Sequence, residues 1–259
     1  MPSAVRALEI PSVKARVSAQ DWQARLELAC AYRLADYYGW THLIYNHISL
    51  RVPGESGHFL LNPFGMVYRE ITASSLVKVD IDGKVVGESP FGVHEAGFVI
   101  HSAIHRARED AHAVMHTHTI AGMAVSTLAC GLLPITQSAL KVISKTGYHD
   151  YEGILLELDE RERLATSLGD NVCLILRNHG LLTVGRSVGE AFVIMYHLEK
   201  ACAAQVAAMS CNSPLISLPV AMQEKVSDQN GRGKNLNRGD ENWPAMMRLM
   251  DTIDPGYRD

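Results

Sequence analysis

Two histidines stand two residues apart in the apolar stretch AVMHTHTIAG, residues 113–122. Side chains at positions i and i+2 of a β-strand point to the same face, so His116 and His118 would project two imidazoles side by side. Imidazole is a common ligand of zinc and other divalent transition metals. An HxH pair is short, however, and one histidine in the core with the other at the surface would explain it equally well.

A third histidine follows another apolar run, LILRNHGLL, in which His179 precedes a glycine. If two neighbouring strands end together, His116, His118 and His179 meet around one point. Three neutral imidazoles suit Zn²⁺, Mn²⁺, Fe²⁺ or Co²⁺, and an open coordination position would make such a site catalytic. The spacing therefore predicts a metal site made of three histidines.

The segments around these histidines alternate between helical and strand patterns. Apolar residues recur at three- and four-residue steps in some segments and in short runs in others. Asp21 is expected to cap the first helix, Ser187 to cap a long later helix, and Asp82-Gly83 to close an antiparallel hairpin. The predicted helices are 21–39, 94–108, 119–130, 159–170, 187–210 and 243–254, and the predicted strands are 43–52, 58–62, 76–87, 112–118 and 171–180.

Because helices and strands interleave, the chain is expected to form one α/β domain. Residues 1–19 are assigned to an N-terminal extension, 20–212 to the domain, and 213–259 to a C-terminal arm with one short helix. Within that arm, residues 227–242 are polar and rich in glycine and asparagine, which predicts a mobile connection.

The composition limits the partners of the protein. The 259 residues are 47% hydrophobic and 20% charged with a net charge of −4, so no basic surface predicts nucleic-acid binding. No apolar run approaches the roughly 18 residues of a membrane span, and the N-terminus lacks the apolar region of a secretory signal. The five cysteines are widely spaced in apolar stretches, which predicts reduced core thiols and a cytoplasmic location.

Several longer segments together resemble the class II aldolase/adducin family, from about Ala29 to Met209. The segments are LADYYGWTHLIYNHISLRV, NPFG followed by EITASSLVKVD, AGFVIHSAIH, AVMHTHTIAGMAVS, and LILRNHGLLTVG followed by EAF. The family includes sugar-phosphate aldolases, a ribulose-phosphate epimerase, related dehydratases and decarboxylases, and the head domain of the cytoskeletal protein adducin.

The resemblance implies a fold, a cofactor and an assembly. The fold is a three-layer α/β/α arrangement around a mixed, mostly antiparallel central sheet. The cofactor is a divalent metal ion on the histidines that match His116, His118 and His179. The assembly is a homotetramer in which small-molecule substrates bind between subunits.

This sequence departs from the family's aldolases at the acid/base residue. Those enzymes place a glutamate four residues before a histidine that matches His101, and that position is Gly97 here. Glu95 is the nearest carboxylate and becomes the expected acid/base. At the start of a helix, Glu95 could equally serve only to favour the positive helix end.

The expected substrate pocket is also altered. Asn46 and Gly65 match family positions near the substrate, although a buried asparagine often serves only to bond the backbone. Phe64 and Phe91 add apolar bulk, and if they line the pocket rather than the core, a small organic acid is favoured over a phosphosugar. Tyr257 is expected to close over the site as a proton donor on the C-terminal arm, unless it is a tail residue without a role.

The leading expectation is a divalent-metal-dependent lyase that cleaves a C–C bond in a small oxo- or hydroxy-acid. Retro-aldol cleavage and decarboxylation would share a metal-stabilised enolate. Zinc is the expected metal, with manganese, iron and cobalt as alternatives. A non-haem iron oxygenase on the same histidines is a second hypothesis, although oxygenases usually combine two histidines with a carboxylate. A non-catalytic adducin-like interaction module is the third: the missing glutamate favours it and the three histidines oppose it.

Overall fold

The computed structural model describes residues 10–153, 158–232, 239 and 241–259. Within these residues, seven strands form one sheet and eight α-helices surround it. None of the described helices is long and apolar enough to cross a bilayer. The strands are β1 (His47–Arg51), β2 (His58–Leu61), β3 (Val77–Asp80), β4 (Ala113–Thr117), β5 (Thr146–His149), β6 (Cys173–Leu176) and β7 (Gly180–Gly185). The helices are α1 (Ala19–Tyr37), α2 (Glu95–Ala107), α3 (Ile120–Thr127), α4 (Gln137–Val142), α5 (Leu158–Leu168), α6 (Val188–Ser210), α7 (Val220–Arg232) and α8 (Asn242–Ile253).

The sheet runs in the order β3-β2-β1-β4-β7-β6-β5. Every neighbouring pair is antiparallel except β5 and β6, which are parallel. The expectation of a mixed, mostly antiparallel sheet is therefore confirmed. Strand β4 lies at the centre, between β1 and β7, so the side chains at its end are surrounded by structure on both sides.

Helices cover both faces of the sheet, which gives the three-layer arrangement. Side chains of a strand alternate between faces, so Met115 of β4 points to one layer and Val114 to the other. Met115 packs in a large core with α1, α3, α4 and α6, whereas Val114 packs with α2 and α5. His116 points to the same face as Val114, the face covered by α2.

The first helix begins differently from the prediction. Its cap is Ser18, whose hydroxyl accepts a hydrogen bond from the amide of Asp21. Asp21 itself is buried and pairs with Arg25 at 2.8 Å and with Lys78 at 2.7 Å. Because a buried carboxylate needs a partner of opposite charge, Asp21 anchors α1 to β3 rather than capping the helix.

The predicted hairpin at residues 76–87 forms only in part. The turn is present, because Asp80 Oδ1 accepts hydrogen bonds from the amides of Asp82 and Lys84, and Gly83 adopts a φ of +92°. The second arm, however, contributes one isolated bridge between Val79 and Val85 instead of a strand.

The C-terminal residues pack on the domain. Helix α8 contacts α1 and α6, and Trp243 and Tyr257 belong to the same large core as α1. The predicted mobile connection at 227–242 is corrected over 227–232, which lie in α7, while 233–238 and 240 fall outside the described residues.

The cysteine prediction holds for three of the five thiols. Cys30, Cys173 and Cys202 are buried, whereas Cys130 and Cys211 are exposed. All five are free thiols, and burial raises the pKa of Cys30 and Cys173 to about 12. The three buried thiols are therefore packing groups rather than reactive ones.

Candidate metal centre

The structure brings His116, His118 and His179 together at one end of the sheet. Their ring centroids lie 4.5–4.8 Å apart, and one nitrogen from each ring lies within 4.8 Å of the others. Among the described residues, these three form the one cluster of histidine, cysteine or acidic side chains with this metal-site geometry.

Strand pairing brings the three histidines together, although the strand next to β4 is not the one that the sequence suggested. The neighbour of β4 is β7 rather than β6, and the two strands are antiparallel with Thr117 opposite Leu181. The end of β4 therefore meets the start of β7, and His179 immediately precedes β7. The strand predicted at 171–180 corresponds to β6 and the turn after it, and β7 was not predicted.

The turn between β6 and β7 holds His179 in place. Asn178 adopts a φ of +57°, a left-handed conformation that asparagine tolerates better than most residues. Gly180 is needed because a Cβ there would collide with the carbonyl oxygen of Thr117. The segment RNHG thus encodes a tight turn that brings His179 against the end of β4.

Hydrogen bonds orient the imidazoles. Nδ1 of His116 donates to the carbonyl oxygen of Leu181 at 2.9 Å, which leaves Nε2 as the ligand nitrogen. Nε2 of His118 lies 2.7 Å from Nε2 of His116, and Nδ1 of His118 lies 3.0 Å from Nδ1 of His42. A backbone carbonyl that fixes one ring nitrogen is the arrangement found behind metal-binding histidines.

The environment keeps the three imidazoles neutral. Burial is the main cause that lowers the pKa of His116, and neighbouring imidazoles lower it further. Burial also lowers the pKa of His118 to about 3 and that of His179 below its usual value. Neutral imidazole is the form that binds a cation, so the donor set fits a divalent metal ion.

A buried carboxylate supports the loop that carries His118. Glu199 of α6 accepts hydrogen bonds from the hydroxyls of Thr117 and Thr119, each at 2.6 Å, and burial raises its pKa. Thr119 also accepts from the amide of Gly122 and so caps α3. Glu199 was not predicted from the sequence, although an acidic residue on an otherwise apolar face of α6 was the available signal.

The two predicted substrate residues lie in different surroundings. Asn46 is buried, and its Nδ2 donates to the backbone carbonyl of His116 at 3.3 Å. Its Oδ1 has no hydrogen-bond partner among the described residues. Gly65 is exposed with a φ of +94° and open space around it. Asn46 therefore touches the metal-site strand, and Gly65 lies in the exposed loop after β2.

The loop that carries Gly65 approaches the start of α2. The ring of Phe64 lies 4.9 Å from that of His94, which caps α2, and Phe64 is 47% exposed. Phe91 instead packs against the core. Glu95 is the first residue of α2 and is exposed.

The structure does not bring Tyr257 to the histidines. Tyr257 is fully buried in the core on the face of the sheet opposite His116, and its hydroxyl donates to Asp251 at 2.6 Å. The chain around it is fixed as well, since the amide of Ala73 donates to the Tyr257 carbonyl. The expected lid is thus corrected: Tyr257 fastens the C-terminus to α1.

A group of polar side chains that was not predicted from the sequence lies between β1 and α2, on the face of the sheet that carries His116. His47 and Ser49 alternate on β1, and His101 and His105 stand four apart on α2. Each pair shares one face of its element. That matching periodicity was the available signal.

The cavity of greatest volume among those described here does not contain the three histidines. A cavity of about 870 Å³ lies between the start of α1, the β1–β2 loop and the start of α6, and none of the three histidines lines it. The histidines instead lie at the end of the sheet, where the exposed His42 contacts His118. The donor chemistry therefore identifies the candidate site better than cavity volume.

The fold and site define a class: a three-layer α/β/α domain with a three-histidine cluster suited to a divalent metal. The chain belongs to the class II aldolase family, because the family described as "Class II Aldolase and Adducin N-terminal domain" matches residues 26–206. The resemblance seen in the sequence is thereby confirmed.

Three relatives show the range of this family. The chain is 50% identical to an aldolase II superfamily protein from Pseudomonas syringae. The match covers 96% of this chain and all of the other, with a TM-score of 0.90. It is 28% identical to an L-fuculose 1-phosphate aldolase from Glaciozyma antarctica, covering 98% and 97% of the two chains with a TM-score of 0.81. Rat alpha-adducin is 45% identical over 248 residues, which are 90% of this chain and 33% of the adducin.

Proposed function

We propose that this protein is a divalent-metal-dependent lyase that cleaves a C–C bond in a small oxo- or hydroxy-acid, by retro-aldol cleavage or decarboxylation. The observation that carries the proposal is the convergence of three neutral imidazoles whose nitrogens lie within 4.8 Å of one another. An interaction surface gains nothing from burying three imidazoles without charged partners, since each polar group taken from water costs free energy.

His116, His118 and His179 would hold the metal ion. When bound, the ion supplies a Lewis acid that stabilises the negative charge left on an oxygen as the bond breaks. Zinc is the proposed metal, since zinc readily accepts three imidazoles and keeps an open position in catalytic sites. Manganese, iron and cobalt remain alternatives with the same donor set.

The surrounding residues of the chain would orient the substrate and move protons. Asn46, which bonds to β4, would accept a hydrogen bond from the substrate at its unpartnered Oδ1. Gly65 would let the substrate approach the backbone of the exposed loop after β2. Glu95 at the exposed start of α2 is the proposed acid/base. Glu95 is the carboxylate nearest in sequence to Gly97, the position of the glutamate in the family's aldolases.

We also propose that the protein works in the cytoplasm as a homotetramer with active sites between subunits. Exposed large apolar side chains support the proposed assembly: Leu43 is 68% exposed and Ile120 is 84% exposed in the isolated chain. Both lie close in sequence to the site: Ile120 is two residues after His118, and Leu43 follows His42, whose ring lies 5.3 Å from that of His118. Exposed apolar groups at such a site mark a surface that a partner covers.

The experiment is elemental analysis of protein purified without added metal, with His116→Ala as the test variant. His112→Ala is the matched control, since His112 is exposed and lies just before β4. Near-stoichiometric zinc or manganese that is lost only in His116→Ala supports the lyase. The loaded protein is then assayed for cleavage of oxo- and hydroxy-acids.

Two other results would replace the proposal. Tightly held iron together with oxygen consumption would favour a non-haem iron oxygenase on the same histidines. No bound metal, and no uptake on soaking, would favour a non-catalytic interaction module, the reading supported by the 45% identity to rat alpha-adducin.

A further inference from the structure

A continuous chain of buried hydrogen bonds runs between β1 and α2, on the face of the sheet that carries His116. Nδ1 of His105 lies 2.9 Å from the carbonyl oxygen of Ala111, and Nε2 of His105 lies 2.7 Å from Oγ of Ser49. Oγ of Ser49 lies 2.5 Å from Nδ1 of His101, and Nε2 of His101 lies 2.9 Å from Nδ1 of His47. All four side chains are at most 4% exposed.

The carbonyl of Ala111 sets the direction of every bond in this chain. A carbonyl only accepts, so Nδ1 of His105 carries the proton and the neutral ring offers a lone pair at Nε2. Ser49 must then donate to His105 and accept from Nδ1 of His101. His101 is left with a lone pair at Nε2, which accepts from Nδ1 of His47.

The consequence is a fixed tautomer of His47, with the proton on Nδ1 and a lone pair on Nε2. Burial keeps the rings neutral, since it lowers the pKa of His105 to about 3 and also lowers the pKa of His101. Because the chain ends at a backbone carbonyl rather than at solvent, it orients His47 and does not lead protons to the surface.

The free nitrogen of His47 lies beside the candidate metal centre. The ring of His47 stacks on that of His116, with centroids 5.2 Å apart and planes 30° apart. Its Nε2 makes no hydrogen bond to any residue that the structure describes. Gly97 makes room for it, because a Cβ there would lie 2.9 Å from Nε2. His47 is outside the three-histidine cluster, so its lone pair is available to a bound molecule.

We infer that His47 is a substrate-binding residue whose Nε2 accepts a hydrogen bond from a hydroxyl group of the substrate, and that His101, Ser49 and His105 are positioning residues that hold this tautomer. The inference rests on the proposed function and narrows its substrate class. A substrate with a hydroxyl group carries the O–H that this acceptor needs, whereas an oxo-acid without a hydroxyl offers only acceptor oxygens. A buried acceptor left without a donor costs binding free energy, so the site favours an acid that carries a hydroxyl group, as every retro-aldol substrate does.

The first test locates the proton directly. Neutron diffraction of the zinc-loaded protein after exchange into heavy water is expected to show deuterium on Nδ1 of His47 and none on Nε2. In Ser49→Ala the chain is broken, and His47 is expected to carry deuterium on both nitrogens at partial occupancy. Ser102→Ala is the matched control, because Ser102 is also buried and bonds only to a helix carbonyl, that of Val99. Deuterium on Nε2 in the unmodified protein, or no change in Ser49→Ala, would overturn the inference.

The second test measures the recognition itself. Cobalt-loaded protein is titrated with glycolate and with acetate, which differ by one hydroxyl, and binding is followed by the visible spectrum of the cobalt. His47→Asn keeps a donor toward His101 but places no acceptor at the Nε2 position. The preference for glycolate over acetate is expected to fall about three- to tenfold in this variant, the worth of one hydrogen bond.

The two tests separate this inference from the proposed function. If metal binds and His47→Asn keeps the full glycolate preference, the inference fails while the lyase proposal stands. If the protein takes up no metal, the proposed function fails, and neutron diffraction of the metal-free protein still decides the tautomer of His47.

Discussion

Replacing Gly97 by alanine tests the close packing between α2 and His47. A Cβ at position 97 would lie 2.5 Å from Cδ2 and 2.9 Å from Nε2 of His47. Ordinary carbon contacts are about 3.5–4.0 Å, so the ring would have to move by about 1 Å. It cannot move freely, because it is bonded to His101 on one side and stacked on His116 on the other.

Two opposing terms set the size of the effect. Overpacking in a buried site costs about 1–3 kcal/mol, whereas alanine in place of glycine within a helix contributes about 1 kcal/mol of stability. We therefore expect Gly97→Ala to lower the free energy of unfolding by about 0–2 kcal/mol. In a His47→Ala background the clash is absent, and the same substitution should raise it by up to about 1 kcal/mol.

The assay is a double-mutant cycle by urea and thermal unfolding at one protein concentration. The expected coupling between the two positions is about 1–3 kcal/mol, and each kcal/mol corresponds to roughly 2–4 °C in Tm for a chain of this size. Gly92→Ala is the control, since nothing lies within 4 Å of a Cβ there. Additivity of the two substitutions within about 0.5 kcal/mol would refute the reasoning. The same geometry predicts that Gly97→Glu cannot restore an acid/base glutamate unless His47 is also made smaller.

Three further predictions concern the surroundings of the site. Burial lowers the pKa of His105 from 6.5 to about 3, so folding favours its neutral form, and stability should be complete above pH 6.5 and fall as the pH drops toward 3. Urea unfolding at pH 6.5 and 5 should show that His105→Gln removes up to about 1.4 kcal/mol per pH unit of this dependence, and an unchanged slope would contradict the burial argument. Glu199→Gln disturbs the hydroxyls on both sides of His118 and should weaken zinc affinity about tenfold in a chelator competition. Glu190→Gln, which affects a surface pair with Arg186, should leave that affinity unchanged. Ile120→Asp places a charge on an exposed apolar position and should shift the mass measured by light scattering from that of the proposed tetramer to smaller species. An unchanged mass would locate the proposed subunit contacts elsewhere.

Much of the local structure followed from the sequence, because it depends on near neighbours along the chain. Ser187 caps α6 by accepting from the amide of Glu190, as predicted. The HxH spacing on a strand places His116 and His118 on one side of the sheet end. The glycine after His179 indicated a turn, and the structure has one there. Helix and strand periodicity captured these features since each needs only a few consecutive residues.

Other features depended on which segments meet, and the sequence alone did not determine them. The antiparallel pairing of β4 with β7 decides that His179 reaches the HxH pair, and the sequence had suggested a different neighbour. Tyr257 was expected at the site and lies in the core on the opposite face, because its ring and its backbone both pack against distant segments.

The sequence by itself determined the family and the chemical types at the site: three imidazoles, no glutamate at position 97, and a chain without a basic surface. Only the tertiary structure decided which ring nitrogen of His47 carries the proton. Its proton position is set by a carbonyl 64 residues away along the chain, at Ala111, through three intervening side chains. Each hydrogen bond fixes whether the next group in contact must donate or accept. The groups in this chain are distant in sequence, so no local pattern of residues predicts which of them are in contact.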